Sequence, residues 1–173
     1  TAGQGTPAGL SWPVVASDNG AATLTLFIAG SDQSESDALA TLARLREDHV
    51  ALFAAKQSRA QAILGASALV TPDEALNQAF AWSKLNCEML AREAPVHGRG
   101  AGAGLPVYPH WFGIDIEYAV LPMLQAGLFD LTKDSLRLLL RASLGANPLQ
   151  PGRVIHELTT TGVNKISELC NNR

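Results

Sequence analysis

The stretch 104–139, GLPVYPHWFGIDIEYAVLPMLQAGLFDLTKDSLRLL, decides the fold because its character changes twice. Up to Phe112 it reads as loop, punctuated by Gly104, Pro106 and Pro109. From Gly113 a helix is expected, stopping at AGLFD, and Asp130 then caps another, LTKDSLRLLLRASLG, which ends at Gly145 and Pro148. Two helices with so short a connection form an αα-hairpin. Pro122 falls inside the first of them, where it removes a backbone hydrogen bond and is expected to kink the helix. The loop crowds Tyr108, His110, Trp111 and Phe112 against Gly113 and Asp115. The chain holds five Phe, three Trp and two Tyr, and four of these (Tyr108, Trp111, Phe112, Tyr118) lie between 104 and 121. Aromatic surface is concentrated beside an acid at the mouth of a helix.

Upstream, TPDEALNQAFAWSKLNCEMLARE (71–93) predicts a helix with Thr71 as N-cap, Pro72 at the first helical position and Glu74 two positions on, ended by Pro95. Its expected buried side carries Ala75, Leu76, Ala79, Phe80, Leu85, Met89 and Leu90. Residues 95–112 are then a loop of unusual length, of the kind that is often functional. Before it, residues 34–70 read as a long linker helix that opens on Ser34 and Asp37 as a capping box and is interrupted near Ser58 or Gly65. Residues 1–33 read as a β segment: SWPVVAS (11–17) and ATLTLFIAG (22–30) form a short β-hairpin across SDNG. Beyond the last helix, LQPGRVIHELTTTGV (149–163) looks extended with a turn at Pro151–Gly152, and NKISELCNNR (164–173) reads as a separate amphipathic tail. The fold class is mainly α.

The composition excludes several functions. At 173 residues and 47% apolar the chain can bury a core. Thirteen scattered Lys and Arg in a chain of net charge −3 leave no footprint for nucleic acid and no attraction to an anionic membrane. No apolar run approaches the roughly 18 residues that cross a bilayer. TAGQGTPAGLSW lacks the basic and apolar regions of a signal peptide, so a cytoplasmic location is expected. Cys87 and Cys170 are read as free thiols. GRGAGAGLP (98–106) fails as a dinucleotide fingerprint, because position 103 is Ala where the third glycine should fall, and because it follows a helix. His110, Asp115, His156 and Glu157 have no metal-ligand spacing, and neither a metal nor any other cofactor is expected.

Two acids stand out. Asp115 sits in the first turn of its helix, where exposed N–H groups favour a carboxylate, and Glu117 points about 200° away from it. Glu157 follows Arg153 and His156 in GRVIHELTTTG (152–162). If the two segments converge, aromatic faces beside carboxylates suit a sugar, which offers C–H faces for stacking and hydroxyls for charged acceptors.

The pattern G-x-P-x-x-P-x-W-F-G-x-D, a helix, then G-R-x-x-H-E, with WSKLN (82–86) ahead of it, resembles bacterial glycogen-debranching, amylo-α-1,6-glucosidase-like glycoside hydrolases of the six-hairpin class. The resemblance spans roughly 71–163 and implies the opening part of an (α/α)6 toroid, preceded by the end of a β-sandwich. It implies an oligosaccharide or α-glucan substrate. It places Trp111, Asp115, His156 and Glu157, with Tyr108, His110 and Arg153 as secondary contacts, against sugar hydroxyls and ring faces. An inverting glycosidase needs two carboxyls about 6.5–9.5 Å apart. The resemblance assigns Asp115 and Glu157 to binding and puts the general acid and base on later helix connections, so catalysis by this chain alone is not expected. The rival readings are a non-catalytic helical module that binds carbohydrate or protein, with self-association through uncovered helix faces, and a metal-dependent enzyme.

Overall fold

The computed structural model describes residues 11, 13, 20, 22–31, 33–144 and 153–165. They are mainly helical, in the order α1 (Glu35–Ala66), α2 (Glu74–Leu90), β1 (Ala91–Ala94), β2 (Gly98–Ala101), β3 (Trp111–Phe112), α3 (Gly113–Gln125), α4 (Phe129–Leu144), β4 (Glu157–Leu158) and β5 (Asn164–Lys165). No described helix is long and apolar enough to cross a membrane. The chain divides into two units, Thr1–Phe53 and Ala54–Arg173.

In the first unit, α1 opens as expected. Ser34 Oγ accepts from Asp37 N at 3.1 Å and donates to the Asp37 carboxylate at 2.9 Å. The expected β-hairpin is not found: residues 22–30 form no strand, and Leu24, Leu26 and Ile28 are exposed. Most of the partner run, 11–17, and the turn ahead of residue 20 lie outside the described residues. An isolated two-stranded hairpin is marginal, and among the described residues no strand precedes α1 to support one. Helix α1 continues through Ser58 and Gly65 without the expected interruption.

In the second unit, α2 begins later than expected. Asp73 rather than Thr71 is the N-cap, its carboxylate accepting from Ala75 N and Leu76 N at 3.0 and 3.2 Å. Thr71 instead pairs with Asn77, whose side chain both accepts from Thr71 N and donates to Thr71 O at 2.9 Å. Helix α2 stops at Leu90, short of Pro95, because 91–101 fold back as the antiparallel hairpin β1–β2, with Ala91 opposite Ala101. The expected loop therefore begins with a sheet.

The glycines of GRGAGAG serve this hairpin. A Cβ at Gly100 would stand 2.8 Å from Leu138 of α4, and one at Gly102 would stand 2.6 Å from the Arg92 guanidinium. Ala101 N donates to the buried Ser135 Oγ at 3.0 Å, fixing β2 on α4. The glycines give close packing, not a phosphate cradle.

Helix α3 passes Pro122 without ending and closes in a Schellman arrangement, in which Leu128 N donates to Met123 O and Gly127 N to Leu124 O. Gly127 takes φ +79°, and the C-terminal residue of α1, Ala66, lies 3.2 Å from where its Cβ would be. Helix α4 starts at Phe129, one residue ahead of the expected cap, and packs on α3. Trp111, Ile116, Leu138 and Leu158 centre one core cluster, and Ile63, Met123, Leu128 and Leu131 a second; Val120 of α3 packs against both.

Burial on α2 differs from the amphipathic expectation. Leu76 and Met89 are exposed, whereas Lys84 is 2% exposed and donates to Leu64 O and Ser67 O, at 3.2 and 2.6 Å, at the end of α1. Near the other end of α2, Glu88 joins three elements. Arg59 of α1 donates to both its oxygens at 3.0 and 3.2 Å, and Arg99 of β2 to one at 2.8 Å. Burial pushes the Glu88 carboxyl up, but the hydrogen bonds and charges of Arg59 and Arg99 outweigh it and hold its pKa below the ordinary 4.5. A carboxyl whose folded pKa is depressed adds stability above its unfolded pKa, and this is lost as pH falls through the folded value. Glu88→Gln is therefore expected to cost about 1–2 kcal/mol at pH 7, with half-exposed Arg59 contributing less than Arg99. In urea unfolding the gap between wild type and mutant should narrow as pH falls below 4.5; a gap that widens there would contradict the assignment.

Candidate functional site

The two chemically marked segments meet. Strand β3 pairs antiparallel with β4, placing Trp111 opposite Leu158 and Phe112 opposite Glu157, and β4 pairs in turn with β5. The loop before β3 is internally tied. Gly104 and Tyr108 exchange two backbone hydrogen bonds at 3.0 Å, and Ala103 N donates to His110 O at 3.0 Å; the Leu105–Pro106 peptide is cis. On the other strand, Ile155 N donates to Ser143 Oγ of α4 and Asn164 Nδ2 to Ala142 O, so β4 and β5 are strapped to the same helix that holds β2.

Gly113 makes the junction possible. It is buried at the start of α3, and its N–H donates to His156 O at 3.2 Å. A Cβ there would stand 2.1 Å from the Ile155 carbonyl oxygen. Only glycine lets the first turn of α3 lie this close to the chain entering β4.

Strand alternation then sorts the aromatics. Trp111 turns inward: it is 1% exposed, its indole N–H donates to Gly100 O at 3.0 Å, and the Arg92 guanidinium lies 4.9 Å from its ring centre. Both ring faces belong to the protein, so the expectation of a sugar stacked on Trp111 is corrected. Phe112 turns the other way and becomes the hub of a cluster, with Tyr108 at 6.5 Å, His110 at 6.3 Å and His156 at 6.0 Å between ring centres. Phe112 was not among the expected site residues, yet the period of two that buries Trp111 must expose its neighbour to the opposite side.

The other expected residues are placed as follows. His110 Nδ1 contacts the Glu157 carboxylate directly, joining loop to strand. Tyr108 and His156 are exposed, and Arg153 is exposed in the segment leading to β4. Asp115 is exposed in the first turn of α3 and lines a cleft of about 240 Å³ with Ala103, Tyr108 and Phe112. Among the described residues no three His, Cys, Asp or Glu side chains lie together as metal ligands.

The site can thus offer a carboxylate at a cleft with two aromatic walls, and beside it an imidazole–carboxylate pair. Aromatic walls stack on C–H faces, and the carboxylate accepts from hydroxyls or cationic groups. In comparisons with known proteins, no family model, no curated protein and no solved structure matches the chain.

Proposed function

We propose that this chain is part of a glycoside hydrolase acting on α-glucan or α-glucosidic oligosaccharides, and that it supplies the sugar-binding wall of the pocket. The observation that carries the reading is the convergence, through β3 and β4, of Tyr108, His110, His156 and Glu157 on Phe112, next to a cleft that holds Asp115. Asp115 accepts hydroxyls of the terminal sugar, Tyr108 and Phe112 cover its apolar face, and the His110–Glu157 pair fixes the second segment beside it. The helices belong, in this reading, to the hairpins of an (α/α) toroid, and the general acid and base stand on other hairpins. Isothermal titration with maltose tests it. Loss of charge-assisted hydrogen bonds worth about 1.5–3 kcal/mol makes Asp115→Ala bind roughly 10–100-fold more weakly. No heat with glucose or maltose, or an unchanged affinity in the variant, would sink the reading.

A second reading, a helical module that associates with itself or another protein, draws on a different observation. Helix α3 exposes Ile114, Tyr118 and Leu121 along one stripe, and α4 exposes Leu136 and Leu140. Contiguous apolar stripes of this kind mark surfaces that other elements cover. Light scattering on a size-exclusion column should then give a mass above 18.2 kDa at micromolar concentration, whereas a clean monomer counts against it.

A further inference from the structure

Three clefts with shared lining residues follow one another along α3, beginning with the one at Asp115. Ala103 and Asp115 also line a second cleft, which continues along α3 past Ile116 and Ala119 to Met123. Cys87, Ala119 and Met123 in turn line a third, which runs on to Phe80, Pro122 and Ala126. Each helix contributes one stripe at three- to four-residue spacing: Asp115, Ala119 and Pro122 from α3 with its C-cap Ala126, and Leu90, Cys87, Ser83 and Phe80 from α2. From Asp115 to Ala126 the α3 stripe extends about 16 Å.

The chemistry changes along this trough. At one end stand the Asp115 carboxylate, Tyr108 and Phe112. Towards the other end the polar groups are turned to partners elsewhere. Ser83 Oγ donates to Ala79 O at 2.8 Å, and Lys84 Nζ donates to the carbonyls of Leu64 and Ser67. Sugar hydroxyls laid there would lose water without gaining partners, whereas methylene groups would gain.

We propose that the trough between α2 and α3 takes the apolar aglycone of an α-glucoside whose sugar sits at Asp115, so that the ligand class is an alkyl or comparably apolar α-glucoside. The proposal rests on the sugar-binding reading of Asp115 and narrows its ligand: an apolar aglycone takes the place of the second sugar of an oligosaccharide.

Methyl and octyl α-glucoside, the latter below its micelle concentration, separate the two parts in isothermal titration. Full burial of a methylene is worth about fourfold in affinity, and a half-open trough about twofold, so the octyl compound should bind on the order of 100-fold more tightly. Asp115→Ala weakens both ligands by the same factor. Ala119→Phe, which fills the middle of the trough, weakens only the octyl compound. In a Cys170→Ser background, saturating octyl glucoside, but not methyl glucoside, slows maleimide labelling of Cys87; this decides the matter if circular dichroism shows that Ala119→Phe does not fold. Equal affinity for the two glucosides overturns the trough and leaves the sugar site standing. Octanol binding as tightly as octyl glucoside, with or without Asp115, overturns a sugar-headed ligand. Failure of both glucosides to bind overturns both readings.

Discussion

Gly113→Ala is expected to destabilise the protein by about 3 kcal/mol, at the upper end of the usual cost of overpacking. The added methyl would stand 2.1 Å from Ile155 O and 2.8 Å from Val154 Cγ1. The oxygen is backbone, and the segment that carries it is held on both sides. Ile155 N donates to Ser143 Oγ, and β4 pairs with β3 two residues later. No side-chain rotation relieves the clash; either α3 or the strand must move. Thermal unfolding should fall by roughly 10 °C, and amide exchange should quicken first at Gly113, whose bond to His156 O closes the junction. Gly65→Ala is the control. Its Cβ meets nothing within 4 Å and lies inside α1, so it should gain about 0.5–1 kcal/mol from helix propensity. If the two substitutions behave alike, the close approach at Gly113 is not what requires glycine.

Lys84→Met should cost about 2 kcal/mol. Methionine keeps the length of the stem but leaves Leu64 O and Ser67 O, at the end of α1, without their shared donor. An unsatisfied part-buried carbonyl costs about 1–3 kcal/mol, and removing a desolvated ammonium offsets part of that. Burial lowers the Lys84 pKa from the ordinary 10.5. Between the lowered folded value and 10.5 the unfolded chain binds more protons than the folded one, so this group's contribution to stability rises with pH across that window. The deficit of the mutant, followed by urea unfolding, should therefore widen as pH rises towards 10.5. A deficit that shrinks over that range would show that Lys84 is not the desolvated cation of α2.

The helices were legible because their start and stop signals are local. Ser34 with Asp37, Gly113 and the AGLFD corner each act within one turn of chain. Where two local signals competed, as Thr71 and Asp73 did for the cap of α2, the side chain with the better bond within the fold decided: Thr71 is drawn to Asn77 and leaves Asp73 the cap. The β1–β2 hairpin was not legible, because its short glycine-rich strands carry no alternation and owe their position to Leu138 and Ser135 on a helix more than thirty residues away. The burial of Lys84 was not legible for the same reason. Its type predicts solvent, and only the open end of α1 gives it a place inside.

At the site the sequence by itself determined the chemistry: which segment carries the aromatics, which acid opens α3, and that a second acid with a neighbouring histidine follows on another connection. Tertiary structure decided the arrangement. Pairing β3 with β4 set Phe112 rather than Trp111 towards the cleft, because strand neighbours face opposite ways and the Trp111 indole found Gly100 O in the core. It also joined His110 to Glu157 across the ladder and brought Cys87 and Leu90 of α2 to a second cleft lined by Asp115. Such contacts join residues far apart in the chain, and no local pattern of residue types encodes them.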